Sequence, residues 1–417
     1  MLSGLRFSRR GFSSLASTAE NLYDFNFTSK LKFRDSAKEL KCFRVIDSEG
    51  ELVNDSKYVD AIPKDKLIKI YETMVLNAEA DEIFNMAQRQ NRISFYMTSK
   101  GEEAQSVATA AALSDSDLIF PQYREVGLFL WRGLSIGQMA NQLTGNCLDW
   151  GKGKQMPVHY GSKDMNIVTV SSPLATQLPQ ASGAGYKFRL DGDDRLAVTF
   201  FGDGSASEGD FHAAMNFAAT LRSQTLFFCR NNMFAISTPV DEQYAGDGIA
   251  ARGMAYGMET IRVDGNDVFA VYNAVQEARR IIVEEKRPAL IEGISYRLGD
   301  HSTSDFSQLY RNEEEMKKVQ KLVDDLASPI QRLEKYLLKK GWVEEGYAEK
   351  RRKELFKEIT TELRRASSEK LPPVEEMFEG VYDELPGHLE EQKAEMLKHF
   401  ETYGQHYNLD KYKDWST

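Results

Sequence analysis

The chain has 417 residues, with 53 basic and 63 acidic side chains for a net charge of −10. Hydrophobic residues make up 41 %, which supports a large core and excludes a wholly disordered chain. The acidic balance argues against nucleic-acid binding, which needs clustered Lys and Arg, and no stretch approaches the roughly 20 apolar residues of a membrane-spanning helix.

In chain order, residues 1–19 carry Arg6, Arg9, Arg10, five serines and no acid. Leu2, Leu5, Phe7, Phe12 and Leu15 suit one face of an induced helix, the composition of a mitochondrial transit peptide. A mitochondrial matrix protein follows as the expectation, with residues 20–60 as an extension. Asp65 to Arg89 has helical periodicity in Leu67, Ile70, Tyr71, Met74, Leu76, Ile83, Phe84 and Met86. Residues 195–201 read as a β-run ending at Gly202, followed by a helix with Phe211, Ala214, Met215, Ala218 and Leu221 inward. Further strands are predicted at 225–229, 260–263 and 289–294, with Asp267 capping a helix through Glu285 between the last two.

Apolar strands alternating with amphipathic helices predict an α/β fold, a parallel sheet with helices on both faces, over 61–311. Residues 312–417 form a predicted helical C-terminal region, rich in Glu, Lys and Leu. There Ser328-Pro329-Ile330-Gln331 reads as a capping box, Ile330, Leu333 and Leu337 as an apolar face, and Gly341 as a stop. Leu371-Pro372-Pro373 marks a break before an expected final helical hairpin. Cys42, Cys147 and Cys229 lie far apart without zinc spacing, which fits a reducing compartment.

Ligands of parallel sheets bind outside the carboxyl ends of strands, so the loops after these strands carry the chemistry. The first is Gly202-Asp203-Gly204-Ser205, where glycines admit a phosphate and Asp203 offers a hard oxygen. Ser207 stands where a dinucleotide fingerprint needs Gly. The second is Arg230-Asn231-Asn232-Met233-Phe234, predicted to neighbour the first. Asp203, the Asn232 amide and a carbonyl near Phe234 give three oxygens for a magnesium that also holds a diphosphate, which points to a thiamin-diphosphate site. The third, 296–305, places His301 at a strand end, and Gln122-Tyr123-Arg124 sets an Arg suited to phosphate beside a Tyr. Taken alone, His301 also reads as an ordinary satisfied histidine and Arg124 as a surface ion pair.

These segments, together with Phe95-Tyr96-Met97-Thr98, residues 155–161, Ser171-Ser172-Pro173-Leu174-Ala175-Thr176-Gln177, 235–239 and 246–253, resemble alpha subunits of thiamin-diphosphate-dependent 2-oxo acid dehydrogenases. The resemblance runs from about residue 60 to the C-terminus. Met156-Pro157-Val158-His159 replaces a Gly-Ser-Met-His segment typical of the pyruvate branch, which favours the branched-chain branch over a pyruvate or acetoin relative.

The resemblance implies that Gln122, Tyr123, Arg124, Ser172, Leu174, Gly202, Gly204, Arg230 and His301 contact thiamin diphosphate, with His301 also catalytic. It implies magnesium at Asp203, Asn232 and Phe234, and potassium at Ser171, Pro173, Thr176 and Gln177. It implies an inhibitory phosphorylation at Ser302 by a regulatory kinase, reversed by a phosphatase. The implied partners are a beta subunit, in a tetramer of two alpha and two beta chains, and a lipoyl-bearing acyltransferase core. Asp203 departs from the Glu of many relatives, Asp300 from a His, Phe306 from an Asp and Asn312 from a second phosphorylated Ser. A phosphate at Ser302 would face Asp300 and Asp305, with Arg297 and Arg311 expected as its only local cations.

Overall fold

A computed structural model describes residues 39–53, 57–310, 317, 321 and 328–414, besides 29 and 31. The expected transit peptide, Arg311, Asn312 and most of 313–327 fall outside the described residues. From residue 39 onward the chain forms one compact unit.

Among the described residues, six parallel strands form the main sheet: β1 (Cys42–Phe43), β2 (Leu118–Phe120), β3 (Ala197–Gly202), β4 (Thr225–Asn231), β7 (Glu259–Asp264) and β8 (Ala289–Ile294). Their order is β1-β7-β8-β4-β3-β2. A small hairpin, β5 (Phe234–Ala235) with β6 (Thr238–Pro239), follows β4. Among the described residues, the α-helices of six or more residues are α1 (Lys64–Arg89), α2 (Glu103–Ala112), α3 (Val126–Trp131), α4 (Ile136–Thr144), α5 (Gln177–Asp191), α6 (Gly209–Leu221), α7 (Ala250–Ala255), α8 (Val268–Glu285), α9 (Pro329–Lys339), α10 (Tyr347–Ser368) and α11 (Gly387–Tyr403).

The central strands read as continuous apolar runs because both faces are covered. Side chains alternate faces along a strand. Phe200, Phe228 and Ile291 therefore join one core, with Val107 of α2 and Phe269 of α8. Phe201, Phe227 and Leu290 join the other, with Leu178 of α5 and Phe211 and Met215 of α6. Aromatic pairs tie each layer: Phe200–Phe228 at 5.3 Å and Phe201–Phe211 at 5.5 Å between ring centroids. Register puts Gly202 beside Arg230 and Arg230 beside Gly293, so the carboxyl ends of β3, β4 and β8 open together.

Asp267 caps α8 through the Phe269 and Ala270 amides, and its other oxygen accepts from Val45 and Ile46. Ser328 and Gln331 form the expected capping box of α9. Ile330, Leu333 and Leu337 are buried, as are Leu355, Ile359 and Leu363 of α10, which packs on α1 and α4. Arg332 of α9 reaches Asp264 at the end of β7 at 2.7 Å.

Some expectations are corrected. After Pro373 there is one long helix, α11, and short helical turns instead of a hairpin, because Gly380 (φ 83°) and Pro386 leave no room for a second helix. Leu221, the last residue of its helix, and Met86, which faces away from its buried neighbours Phe84 and Ala87, are exposed. Cys42–Phe43 adds an edge strand that sequence periodicity did not reveal. No described helix is long and apolar enough to cross a membrane.

Candidate active site

A cavity of about 450 Å³ opens at the carboxyl ends of β3 and β4. It brings together Gln122, Tyr123, Arg124, Ser172, Leu174, Gly202, Asp203, Gly204, Arg230, Asn232, Phe234 and His301, from five separate stretches of chain. Ser171, Pro173, Thr176 and Gln177 share a stretch with Ser172 and Leu174 but do not line the wall, and Ser302 follows His301 without lining it.

Asp203 is buried, and one of its oxygens accepts from Gln243 Nε2 at 2.7 Å. Burial pushes its carboxyl above the ordinary range. An anion so placed gains from a cation. Asn232 donates its amide N–H to Glu102 at 2.8 Å, and its Oδ1 accepts from the Phe234 amide at 3.3 Å. The oxygen set is hard and mixed, as magnesium requires. At Gly204 a Cβ would come within 2.8 Å of the Ala235 Cβ, so only glycine lets this turn pack on the β5–β6 hairpin. At Gly202 the nearest atom to such a Cβ is 3.8 Å away, so the missing side chain leaves a cradle in the pocket wall.

Arg230 is 1 % exposed and held by three acceptors: Glu125, Glu102 (2.6 Å) and Gln122 Oε1 (3.0 Å). Burial draws its pKa down, but Glu125 and Glu102 more than offset this, so the guanidinium stays charged. Gln122 Oε1 also accepts from the Gly202 amide at 2.8 Å, tying β3's loop to β4's. Arg230 thus stands in the pocket wall as a strut between loops, with its fork directed at carboxylates.

Arg124 bonds the Thr98 carbonyl and reaches the third loop, giving one N–H to the His301 carbonyl at 2.6 Å and facing His301 Nδ1 at 3.2 Å. Facing a donor, Nδ1 acts as an acceptor, which leaves Nε2 carrying the proton. Burial, then Arg124 and Arg297, push this imidazole down to about 3, so it is neutral near pH 7. His301 therefore presents a neutral N–H donor. The Tyr123 ring lies edge-on to it at 6.0 Å.

The third loop is tied down on several sides. Asp305 accepts from the His301 amide and the Tyr310 hydroxyl, both at 2.7 Å. Asp300 accepts from the Ser307 hydroxyl at 2.6 Å. Arg297 bonds the Ile236 carbonyl at 2.6 Å and the Tyr310 hydroxyl at 2.8 Å. Among the described residues, Arg297 is not the only cation near this loop, contrary to expectation: Arg89 pairs with Asp300 at 3.3 Å and Arg124 grips His301. The α1 periodicity hid Arg89, because it lies at the helix end. Ser302 is buried, and its hydroxyl accepts from the Ser304 amide.

In the segment 171–177, expected from sequence to hold potassium, the Ser171 and Thr176 hydroxyls stand 3.4 Å apart and Thr176 donates to the Pro173 carbonyl at 3.3 Å. Gln177 donates to the Phe200 carbonyl, while its buried Oε1 has no hydrogen-bond partner among the described residues. A buried oxygen left without a partner, on the same stretch as these hydroxyls, fits a cation.

Around the cavity Val158 (φ 65°), Ala175 (65°), Met233 (71°) and Ile236 (53°) hold left-handed backbone without being glycine. Sequence reading missed Glu102, Glu125, Gln243 and the contact of His159 with Ser172. Only an acid's position just before a helix, as at Glu102, gave any hint.

A parallel sheet whose strand ends carry a polar cradle, a buried carboxylate and a neutral imidazole defines an α/β protein with an enzyme-like ligand pocket. Comparison with known proteins narrows this class. A family model described as "Dehydrogenase E1 component" matches residues 71–375, and the chain belongs to that family. It is 47 % identical over 386 residues to the 2-oxoisovalerate dehydrogenase subunit alpha, mitochondrial, of Homo sapiens, covering 92 % of this chain and 86 % of the relative. The same-named proteins of Caenorhabditis elegans (49 %; 92 % and 88 % covered) and Dictyostelium discoideum (46 %; 97 % and 90 %) are also similar.

Proposed function

We propose that the chain is the alpha subunit of a mitochondrial branched-chain 2-oxo acid dehydrogenase, acting in the oxidative decarboxylation of branched-chain 2-oxo acids with reductive acylation of a lipoyl arm. The assembly of Arg124, Asp203, Asn232 and His301 around one cavity is the observation that carries this reading. The names of the relatives above support both the substrate class and the compartment. Family membership carries thiamin diphosphate dependence and, for an alpha subunit, a beta partner.

When bound, thiamin diphosphate supplies the nucleophilic carbon and the electron sink for decarboxylation. In the reading proposed here, Asp203, Asn232 and the Phe234 carbonyl hold magnesium. Gln122, Tyr123 and Arg124, with the Gly202–Gly204 backbone, enclose the diphosphate, and Arg230 keeps their loops in register. His301 donates its Nε2 proton to an anionic oxygen without carrying charge of its own. Leu174 and Ser172 meet the central and pyrimidine parts. Ser171, Pro173, Thr176 and Gln177 hold potassium. Ser302 takes a regulatory phosphate from a kinase, removed by a phosphatase, and the acyl group leaves towards a lipoyl-bearing acyltransferase.

A pyruvate or acetoin dehydrogenase is the rival reading. Side-by-side decarboxylation of 3-methyl-2-oxobutanoate and pyruvate by the chain reconstituted with its beta subunit separates them. We expect at least about a tenfold higher kcat/KM for the branched substrate, as apolar pocket contacts allow. Preference for pyruvate overturns the assignment.

A further inference from the structure

Ser172 lines the cavity, and its hydroxyl has one partner among the described residues: His159 Nε2, at 2.5 Å. The other ring nitrogen, Nδ1, lies 3.0 Å from the Pro157 carbonyl oxygen. A carbonyl only accepts, so Nδ1 carries the proton. In a neutral ring Nε2 is then an acceptor, and the Ser172 O–H must be the donor.

The ring is held in this direction by the chain beneath it. Gln142 of α4 donates to the Met156 carbonyl at 2.6 Å and accepts from the Val158 amide at 3.0 Å. That clamp on both sides of Pro157 keeps buried Val158 in left-handed backbone, a conformation a β-branched residue avoids. The turn so formed delivers His159, itself 7 % exposed and part of the cavity wall, to Ser172.

We propose that His159 is a positioning residue that fixes the polarity of Ser172. With its proton committed to His159, the Ser172 hydroxyl offers only lone pairs to the cavity. The site therefore takes an occupant that presents an N–H donor at this point, such as an amino-substituted heterocycle, and disfavours one that presents a carbonyl oxygen. This rests on the reading of the cavity as the thiamin diphosphate site, with the aminopyrimidine near Ser172.

The test compares thiamin diphosphate with oxythiamin diphosphate, in which an oxo group replaces the amino group. Both are titrated calorimetrically, with magnesium, into the same preparation of chain assembled with its beta subunit. The ratio of the two affinities does not depend on the fraction of active protein. Wild type is expected to favour the amino compound by at least about tenfold, because an acceptor covered by the bound cofactor and facing another acceptor is left unpaired. His159→Asn keeps a donor for the Pro157 carbonyl but has no acceptor near Ser172, so its ratio should fall to within about threefold. His159→Gln places an amide oxygen near the position of Nε2 and should restore most of the preference. Equal affinities or an oxo preference in wild type overturn the proposal, and the wild-type ratio stands as a test even if neither variant assembles. A His159→Asn ratio equal to wild type also overturns it. If Ser172→Ala narrows the ratio while His159→Asn does not, the function of His159 fails and the reading of the cavity survives. If Ser172→Ala and Asp203→Ala both bind the two compounds as wild type does, the reading of the cavity fails as well.

Discussion

Asp203 shows how a single side chain can work against the fold that carries it. Burial raises its carboxyl above the unfolded value, so the stability it permits is complete below about pH 4 and lost as pH rises through the folded value. Near neutrality the ionised form is a liability unless a cation accompanies it. Asp203→Asn should raise the melting temperature without magnesium, on the order of 2 °C, and abolish the further rise that magnesium and cofactor give the wild type. Calorimetric melts with and without both ligands check this. Glu103 repeats the theme away from the cavity. Burial pushes its carboxyl from 4.5 to about 7, although the Gly101 amide bonds it. Its contribution is full below about pH 4.5 and disappears as pH passes about 7, a span corresponding to roughly 3 kcal/mol. Glu103→Gln should flatten the loss of stability between about pH 5 and pH 8 in urea titrations. An unchanged slope would remove Glu103 as its source.

The third loop is an element whose order rests on charge. Arg89 and Arg124 hold it from α1 and from the Gln122–Arg124 turn, and Asp300 and Asp305 bond it from within. A phosphate on buried Ser302 brings a charge of about −1.5 to −2 beside two carboxylates, which the present packing has no room to solvate. Ser302→Glu in the reconstituted assembly should lose most lipoyl-coupled activity, and Ser302→Ala should stay active and resist kinase inactivation. Full activity in Ser302→Glu would place the switch elsewhere. In the segment 171–177, the orphaned Gln177 oxygen predicts a different dependence. Exchanging potassium for tetramethylammonium should lower both cofactor affinity and melting temperature, and Gln177→Leu should be indifferent to the exchange. If wild type is equally indifferent, the segment is a structural turn.

Across the whole molecule, what could be read from sequence follows contact range. The strands from 195 to 294 announced themselves because a sheet covered on both faces needs unbroken apolar runs, and the loops at their carboxyl ends followed from that alone. Asp203 and Asn232 were legible because β3 and β4 are neighbours in register. Glu102 and Glu125 were not, since they meet Arg230 across 128 and 105 positions, a distance no periodicity encodes. The tautomers were equally hidden: that of His301 depends on a guanidinium 177 positions away, and that of His159 on the backbone angles of its own turn. The edge strand at Cys42–Phe43 is too short to show alternation.

The left-handed residues at Val158, Ala175, Met233 and Ile236 carry an implication for durability. Side chains resist that backbone, and glycine would relax each position. Heat resistance gained that way would come with slacker cavity walls, since the same backbone angles aim the Pro157 carbonyl, the Asn232–Phe234 turn and the carbonyl that holds Arg297. The chain's hardiest variants and its most discriminating ones should therefore be different molecules, diverging first at these four positions.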